Sequence, residues 1–186
     1  MILPVYLYNH SILREKTNPL NDMNDETQQF IANMFETMAH ANGIGLAANQ
    51  VGDNRSIIVV DITDPEDDEP AQIPPTVFIN PVIEKYSEDL IDYEEGCLSV
   101  PKFRDKVFRP DAVRVKYLDK DMNEKIIDAE GILARVLQHE IDHLNGIYFF
   151  DRLSAVRKTL AQGKLRKIMR GDIIPDYDYT LGDVKS

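Results

Sequence analysis

The segment LQHEIDHLNG, residues 137–146, sets His139 and His143 four apart, with Glu140 directly after the first histidine. On a helix, positions i and i+4 lie one turn apart on the same face. Both imidazoles can therefore reach one cation at about 2.0–2.1 Å. Glu140 sits on a neighbouring part of that face, where it can reach a water without being a ligand. Two ligands and one general base is the division of labour in H-E-x-x-H hydrolases. A buried helix whose histidines bond to backbone is the competing reading, and the intervening glutamate favours a metal.

A catalytic site of this kind needs a third protein ligand. The histidine that some such enzymes carry three residues past the glycine is absent, because Phe149 stands there. No glutamate follows Glu140. Asp151 is close in sequence, and Asp172, Asp176, Asp178 and Asp183 lie toward the C-terminus. His10 and His40 read as surface or capping residues. Cys97, in YEEGCLSVP, remains. A lone cysteine is more often a small buried hydrophobe, but a thiolate is a strong ligand for zinc or ferrous iron. Beside an unfilled H-E-x-x-H site, Cys97 reads as the third ligand.

The elements that must position these groups follow from pattern. Residues 131–144 read as a largely buried helix, with Ile132 and Val136 on the histidine face and Leu133, Leu137, Ile141 and Leu144 widening the apolar stripe. An earlier helix starts at Asn24 or Asp25, buries Phe30, Ile31, Met34, Met38 and Ala41, and stops at Gly43. GIGLAANQVG after it reads as a loop. Strands are expected over 56–62, over TVFINPVIEKY with a break or bulge at Pro81, and over AVRVKYLD and EKIIDAE, joined by a turn at KDMN. Residues 63–75, with prolines and acids, read as an exposed loop. A basic helix starts near Ser154. The expected fold class is α+β: mostly antiparallel strands packed around a central helix carrying the metal motif, with N-terminal and C-terminal helices. One catalytic domain spans 1–170, and 171–186 is a loosely held tail.

At 186 residues the chain fits one domain. Hydrophobic residues at 43% and charged residues at 28% argue against disorder. No apolar run is long enough to cross a bilayer, and the start lacks a secretory pattern, so the expected location is cytoplasmic with no membrane partner. The net charge of −11 disfavours broad nucleic-acid binding. Against that, residues 152–170 hold Arg152, Arg157, Lys158, Lys164, Arg166, Lys167 and Arg170 and no acid. That run is either a solvated helix face or a docking surface for a polyanion.

Three segments together resemble the peptide deformylase family: GIGLAANQ (43–50), EGCLS (95–99) and QHEIDHLNG (138–146). Their order and spacing are similar to the family's, and the likeness covers about residues 1–170. Asn49 departs from it, since proline is common there. The resemblance implies removal of the formyl group from the N-terminal formyl-methionine of new proteins. It implies one divalent metal ion per chain, ferrous iron in the cell, with zinc, nickel or cobalt able to replace it. Gln50 and the backbone N–H of Leu98 would stabilise the oxyanion, and a buried Glu95–Arg109 pair would hold the cysteine segment. Arg104 matches a position that contacts substrate backbone. Asp142 would orient a neighbouring group. The substrate backbone would pair along Ile44 or Gly45 as an added strand. Ile44, Tyr93, Ile132 and Val136 are candidate walls for the methionine side chain, or else ordinary core. Since family members meet their substrate as it leaves the ribosome, the basic residues 157–170 become a candidate ribosome contact, without sequence-specific nucleic-acid binding.

Overall fold

The structure, a computed structural model, describes residues 1–63 and 71–182. Most of the loop expected over 63–75 lies outside them. The chain opens with β1 (Val5–Tyr6) and a 3-10 turn, Ser11–Arg14, before α1 (Asp25–His40). The side chain of Asn24 accepts from the Thr27 N–H, and Asp25 and Glu26 occupy the first turn, where the helix dipole favours acids. At the other end the left-handed residue is Asn42, φ 54°, not Gly43. Asparagine tolerates that region better than other side-chain-bearing residues, and the Gly43 N–H still closes the helix on Met38 O.

β2 (Gly45–Ala47), β3 (Ile57–Val60) and β4 (Thr76–Tyr86) follow. Next comes a separate antiparallel hairpin, β5 (Leu90–Cys97) and β6 (Val100–Pro110). β7 (Ala112–Leu118) and β8 (Glu124–Glu130) complete an antiparallel sheet of order β2-β3-β4-β7-β8. The expected strand over 56–62 is confined to β3. Its unbroken IIVV run is explained by burial on both faces. Ile57 and Val59 pack in a cluster with Ile31, Met34 and Met38 of α1. Ile58 and Val60 pack in a second cluster with Leu133, Ala134, Leu137 and Ile141 of α2 (Gly131–Leu144). The register of β4 against β7 shifts between Ile79 and Val82, a bulge at Asn80 and Pro81.

Other expectations change as well. GIGLAANQVG is not all loop: Gly45 pairs with Val60 in β2, and Ala48–Val51 forms a 3-10 turn. β5 had no sequence signal, because LIDYEEGC is mostly solvent-exposed and lacks apolar alternation, so the β5–β6 hairpin was not expected. After a 3-10 turn, Phe149–Arg152, comes α3 (Ala155–Met169), capped by Ser154. It buries Ala161, Leu165 and Ile168 against Phe103, Val107 and Tyr148. The chain then returns, and β9 (Tyr179–Thr180) pairs in parallel with β1. The described part of the tail expected to be loose is therefore hydrogen-bonded to the N-terminal strand. The result is a mixed α+β fold with antiparallel main sheets and three α-helices among the described residues. No described helix is long and apolar enough to cross a membrane.

Candidate metal centre

α2 is buried from Leu133 to Leu144, so its polar side chains must find partners inside the protein. Gly146, φ 72°, turns the chain out of the helix, and a Cβ there would sit 2.4 Å from Arg14 O. Cys97 arrives from the end of β5, where a register shift between Gly96 and Cys97 breaks the ladder with β6. The shift turns the thiol toward α2: Cys97 Sγ lies 3.1 Å from His143 Nε2. The donor atoms of Cys97, His139 and His143 all fall within 4.8 Å of one another. Among the described residues they are the group able to hold a metal ion.

The surroundings orient this trio. His139 Nδ1 is 2.9 Å from Glu95 Oε2, which leaves its Nε2 as the nitrogen free to bind a cation. Glu95 also accepts from Arg109 Nε at 2.6 Å, Arg109 Nη2 at 2.9 Å and Arg135 Nη1 at 2.9 Å. Arg109 Nη1 donates to Asp142 at 2.6 Å, and Arg152 Nε donates to the same carboxylate at 2.5 Å. Arg135 was not anticipated, and Arg152 was read only as part of the basic run, not as a partner of Asp142. The signal for Arg135 was in the sequence, since it precedes His139 by four and shares its face.

Burial opposes charge on Glu95, but hydrogen bonds from His139 and Arg109 outweigh it and hold the carboxyl well below the usual carboxylate range. Burial likewise opposes charge on His139, yet hydrogen bonds with Cys97 and Glu95 raise it to about 10. Burial, with the charge on His139 next, depresses His143. His143 Nδ1 is buried without a hydrogen-bond partner. A soft thiolate and two imidazoles suit zinc or ferrous iron, so the residues fit the metal that the motif implies.

Glu140 is 4% exposed, and its Oε2 has no hydrogen-bond partner. Burial pushes its carboxyl up to about 7. The site opens onto a cavity of roughly 520 Å³ whose lining includes Glu140, Gln50, Cys97, Leu98 and His139. Gly45 is required beside it, because a Cβ would lie 2.6 Å from Glu140 Oε1. The Gln50 amide is fixed at both ends: its Oε1 accepts from the Ala47 N–H at 2.9 Å, and its Nε2 reaches Ser99 Oγ at 3.2 Å. Asn49, fully buried, donates through Nδ2 to the His143 carbonyl at 2.5 Å and so ties this turn to α2.

Ile44, Gly45, Tyr93, Arg104, Ile132 and Val136 all line the same cavity. Ile44 is 46% exposed, Tyr93 51% and Ile132 38%, which places these three on the wall and not in the core. Arg104 is exposed and lies 3.8 Å from Glu94. Asp151, an alternative third ligand, is bound to Arg14. His10, His40, Asp172, Asp176 and Asp178 are not part of the Cys97–His139–His143 group, and Asp183 lies outside the described residues. Phe149, where a third histidine stands in other enzymes, packs its ring on His139 at 6.0 Å between centroids.

Residues 2–159 match the family model described as Polypeptide deformylase. The chain is 46% identical over 188 residues to a peptide deformylase of Salinibacter ruber, covering 98% of this chain and 96% of the relative. It is 42% identical to one of Cytophaga hutchinsonii, covering 95% and 96% respectively. Among solved structures, the peptide deformylase of Ehrlichia chaffeensis aligns with a TM-score of 0.83 and 37% identity, over 94% of this chain and all of that one. A peptide deformylase of Ehrlichia chaffeensis in complex with actinonin aligns with a TM-score of 0.83 and 35% identity, over 93% and 99%.

Proposed function

This chain belongs to the polypeptide deformylase family, and on that premise we propose that it hydrolyses the N-formyl group from formyl-methionyl nascent peptides, releasing formate. The observation that supports it most directly is the convergence of Cys97, His139 and His143 beside an unpartnered Glu140. Cys97, His139 and His143 would hold a divalent cation, which when bound would supply a Lewis acid and lower the pKa of a water toward neutral. Glu140 takes the proton of the attacking water and returns one to the departing amine. The Gln50 Nε2 and the Leu98 N–H stabilise the oxyanion that forms at the formyl carbon. Glu95 holds the His139 ring, while Arg109 and Asp142 hold Glu95 and the cysteine segment to α2. In this reading α2 is the central helix of the fold.

β2 is an edge of its sheet. Its outer edge at Gly45, with Ile44 just before it, accepts the peptide backbone as an added strand. Ile44, Tyr93, Ile132 and Val136 receive the methionine side chain, and Arg104 contacts the backbone beyond it. The ion in the cell is ferrous iron, with zinc, nickel or cobalt as substitutes, and the compartment is the cytoplasm. Formyl-Met-Ala tests the reading against a peptidase that cuts internal bonds. Formate release is expected, with no cleavage of the unformylated peptide. A chelator should abolish that release, and added ferrous or zinc ion should restore it. Cleavage of the unformylated peptide, or formate release that survives complete metal removal, overturns the proposal.

The basic segment supports a second contact of the same chain. Arg152 is turned to Asp142 and Arg157 to Asp105, but Lys158, Arg166, Lys167 and Arg170 are exposed on and just past α3. Residues 157–170 dock on ribosomal RNA through phosphate contacts, without reading sequence. Neutralising Arg157, Lys158, Arg166 and Lys167 together should release the protein from co-sedimentation with ribosomes at low salt. Unchanged co-sedimentation rejects the contact.

A further inference from the structure

Pro175, Asp176 and Tyr177 line the cavity alongside Cys97 and Leu98, although the match to the family model ends at residue 159. The Tyr177 hydroxyl donates to the Leu98 carbonyl at 2.6 Å. The next carbonyl, that of Ser99, accepts from the Tyr8 N–H at 2.7 Å. Two consecutive peptide oxygens behind the metal-binding cysteine are thus held by residues from opposite ends of the chain.

Those two ends are fastened to each other. β1 and β9 pair Val5 with Tyr179 and Tyr6 with Thr180. The Val5 N–H donates to Asp178 O at 2.8 Å, and the Leu7 N–H donates to Thr180 O at 2.9 Å. Pro175 is buried on the near side of Tyr177. On the far side Gly182 lies so close to the N-terminal segment that a Cβ would sit 2.7 Å from the Asn9 carbonyl carbon. The phenol is therefore presented by a segment anchored before and after it.

We infer that the C-terminal tail completes the reacting centre, with Tyr177 as a positioning residue that holds Leu98 and residues 175–177 as a wall of the substrate cleft. The inference rests on the deformylase reading. Leu98 carries, on either side of one Cα, the carbonyl that Tyr177 holds and the N–H assigned to the oxyanion. Fixing the carbonyl restricts rotation about both backbone bonds of Leu98, so the N–H stays aimed before substrate arrives. Losing an oxyanion donor outright costs about 10²–10³ in kcat. Losing only the bond that aims one should cost a fraction of that, about 3–10-fold.

Tyr177→Phe keeps the ring and removes the hydroxyl. In the metal-loaded protein, kcat for formate release is expected to fall by about 3–10-fold, with KM for formyl-Met-Ala unchanged. Metal content and melting temperature should match the parent, and amide exchange across residues 97–99 should accelerate. A chain ending at Ile174, which also loses the wall, should show a larger fall in kcat and a raised KM. If that shortened chain does not fold, Tyr177→Phe alone decides. Parent-like kcat in Tyr177→Phe overturns the inference, as does a fall in activity that only tracks lost metal or lost stability. The parent protein in the same assay separates the two readings. If it releases no formate, the deformylase reading has failed, whereas a parent that releases formate and a variant equal to it refute the tail alone.

Discussion

Glu140→Ala should lose at least about two orders of magnitude in kcat for formate release, the usual contribution of a positioned general base, while binding its metal as the parent does. The geometry sets this expectation. Glu140 is buried beside His139, yet its Oε2 bonds to nothing in the protein. A buried carboxylate with an oxygen that finds no hydrogen-bond partner costs stability. Structure alone gives no reason to keep it, so removing it should leave the melting temperature unchanged or higher. The assay pairs formate release with metal analysis and a thermal melt on one sample. Retained formate release with metal bound would remove Glu140 as the general base. Lost activity with lost metal would show that the carboxylate supports the ion and not the proton.

Arg109→Met should have the largest effect on stability of any substitution near the site. Its guanidinium is 2% exposed and contacts both Glu95 and Asp142 at 2.6 Å. Deleting one member of a buried ion pair leaves its partners uncompensated and costs about 3–5 kcal/mol. A domain is stable by only about 5–15 kcal/mol. With about 2–4 °C per kcal/mol for a chain of this size, the melting temperature should drop by about 6–20 °C. The lower end is expected because Arg135 and Arg152 still reach the stranded carboxylates. Arg152→Ala is the contrast, since its side chain is 41% exposed. Water replaces much of what it gives Asp142, so the loss should be about 1 kcal/mol or less. If the two variants melt alike, the network is not what holds the cysteine hairpin to α2.

The chemistry was legible because it is local. His139, Glu140 and His143 share one helix face by spacing alone, and an i, i+4 relation survives any packing of that helix. The two flanking helices, the β7–β8 hairpin and the bulge at Pro81 were legible for the same reason. Capping residues, turn residues and apolar period are read over a few positions. The β5–β6 hairpin was not legible, because β5 is almost wholly exposed and carries no apolar period to mark it as the partner of β6.

Sequence by itself singled out Cys97, His139 and His143, which the structure brings within 4.8 Å of one another, and Glu140 beside them, since one free cysteine and one H-E-x-x-H segment left few other candidates. Only the tertiary structure decided how those donors meet and what holds them. The break in register at Gly96 and Cys97, the arginines shared by Glu95 and Asp142, the Asn49 tie to His143 and the return of Tyr177 to Leu98 join residues tens of positions apart. Such pairings depend on where the whole chain places two surfaces. No local pattern encodes that, so the described part of the tail that looked loose in sequence is bound to the other end of the molecule.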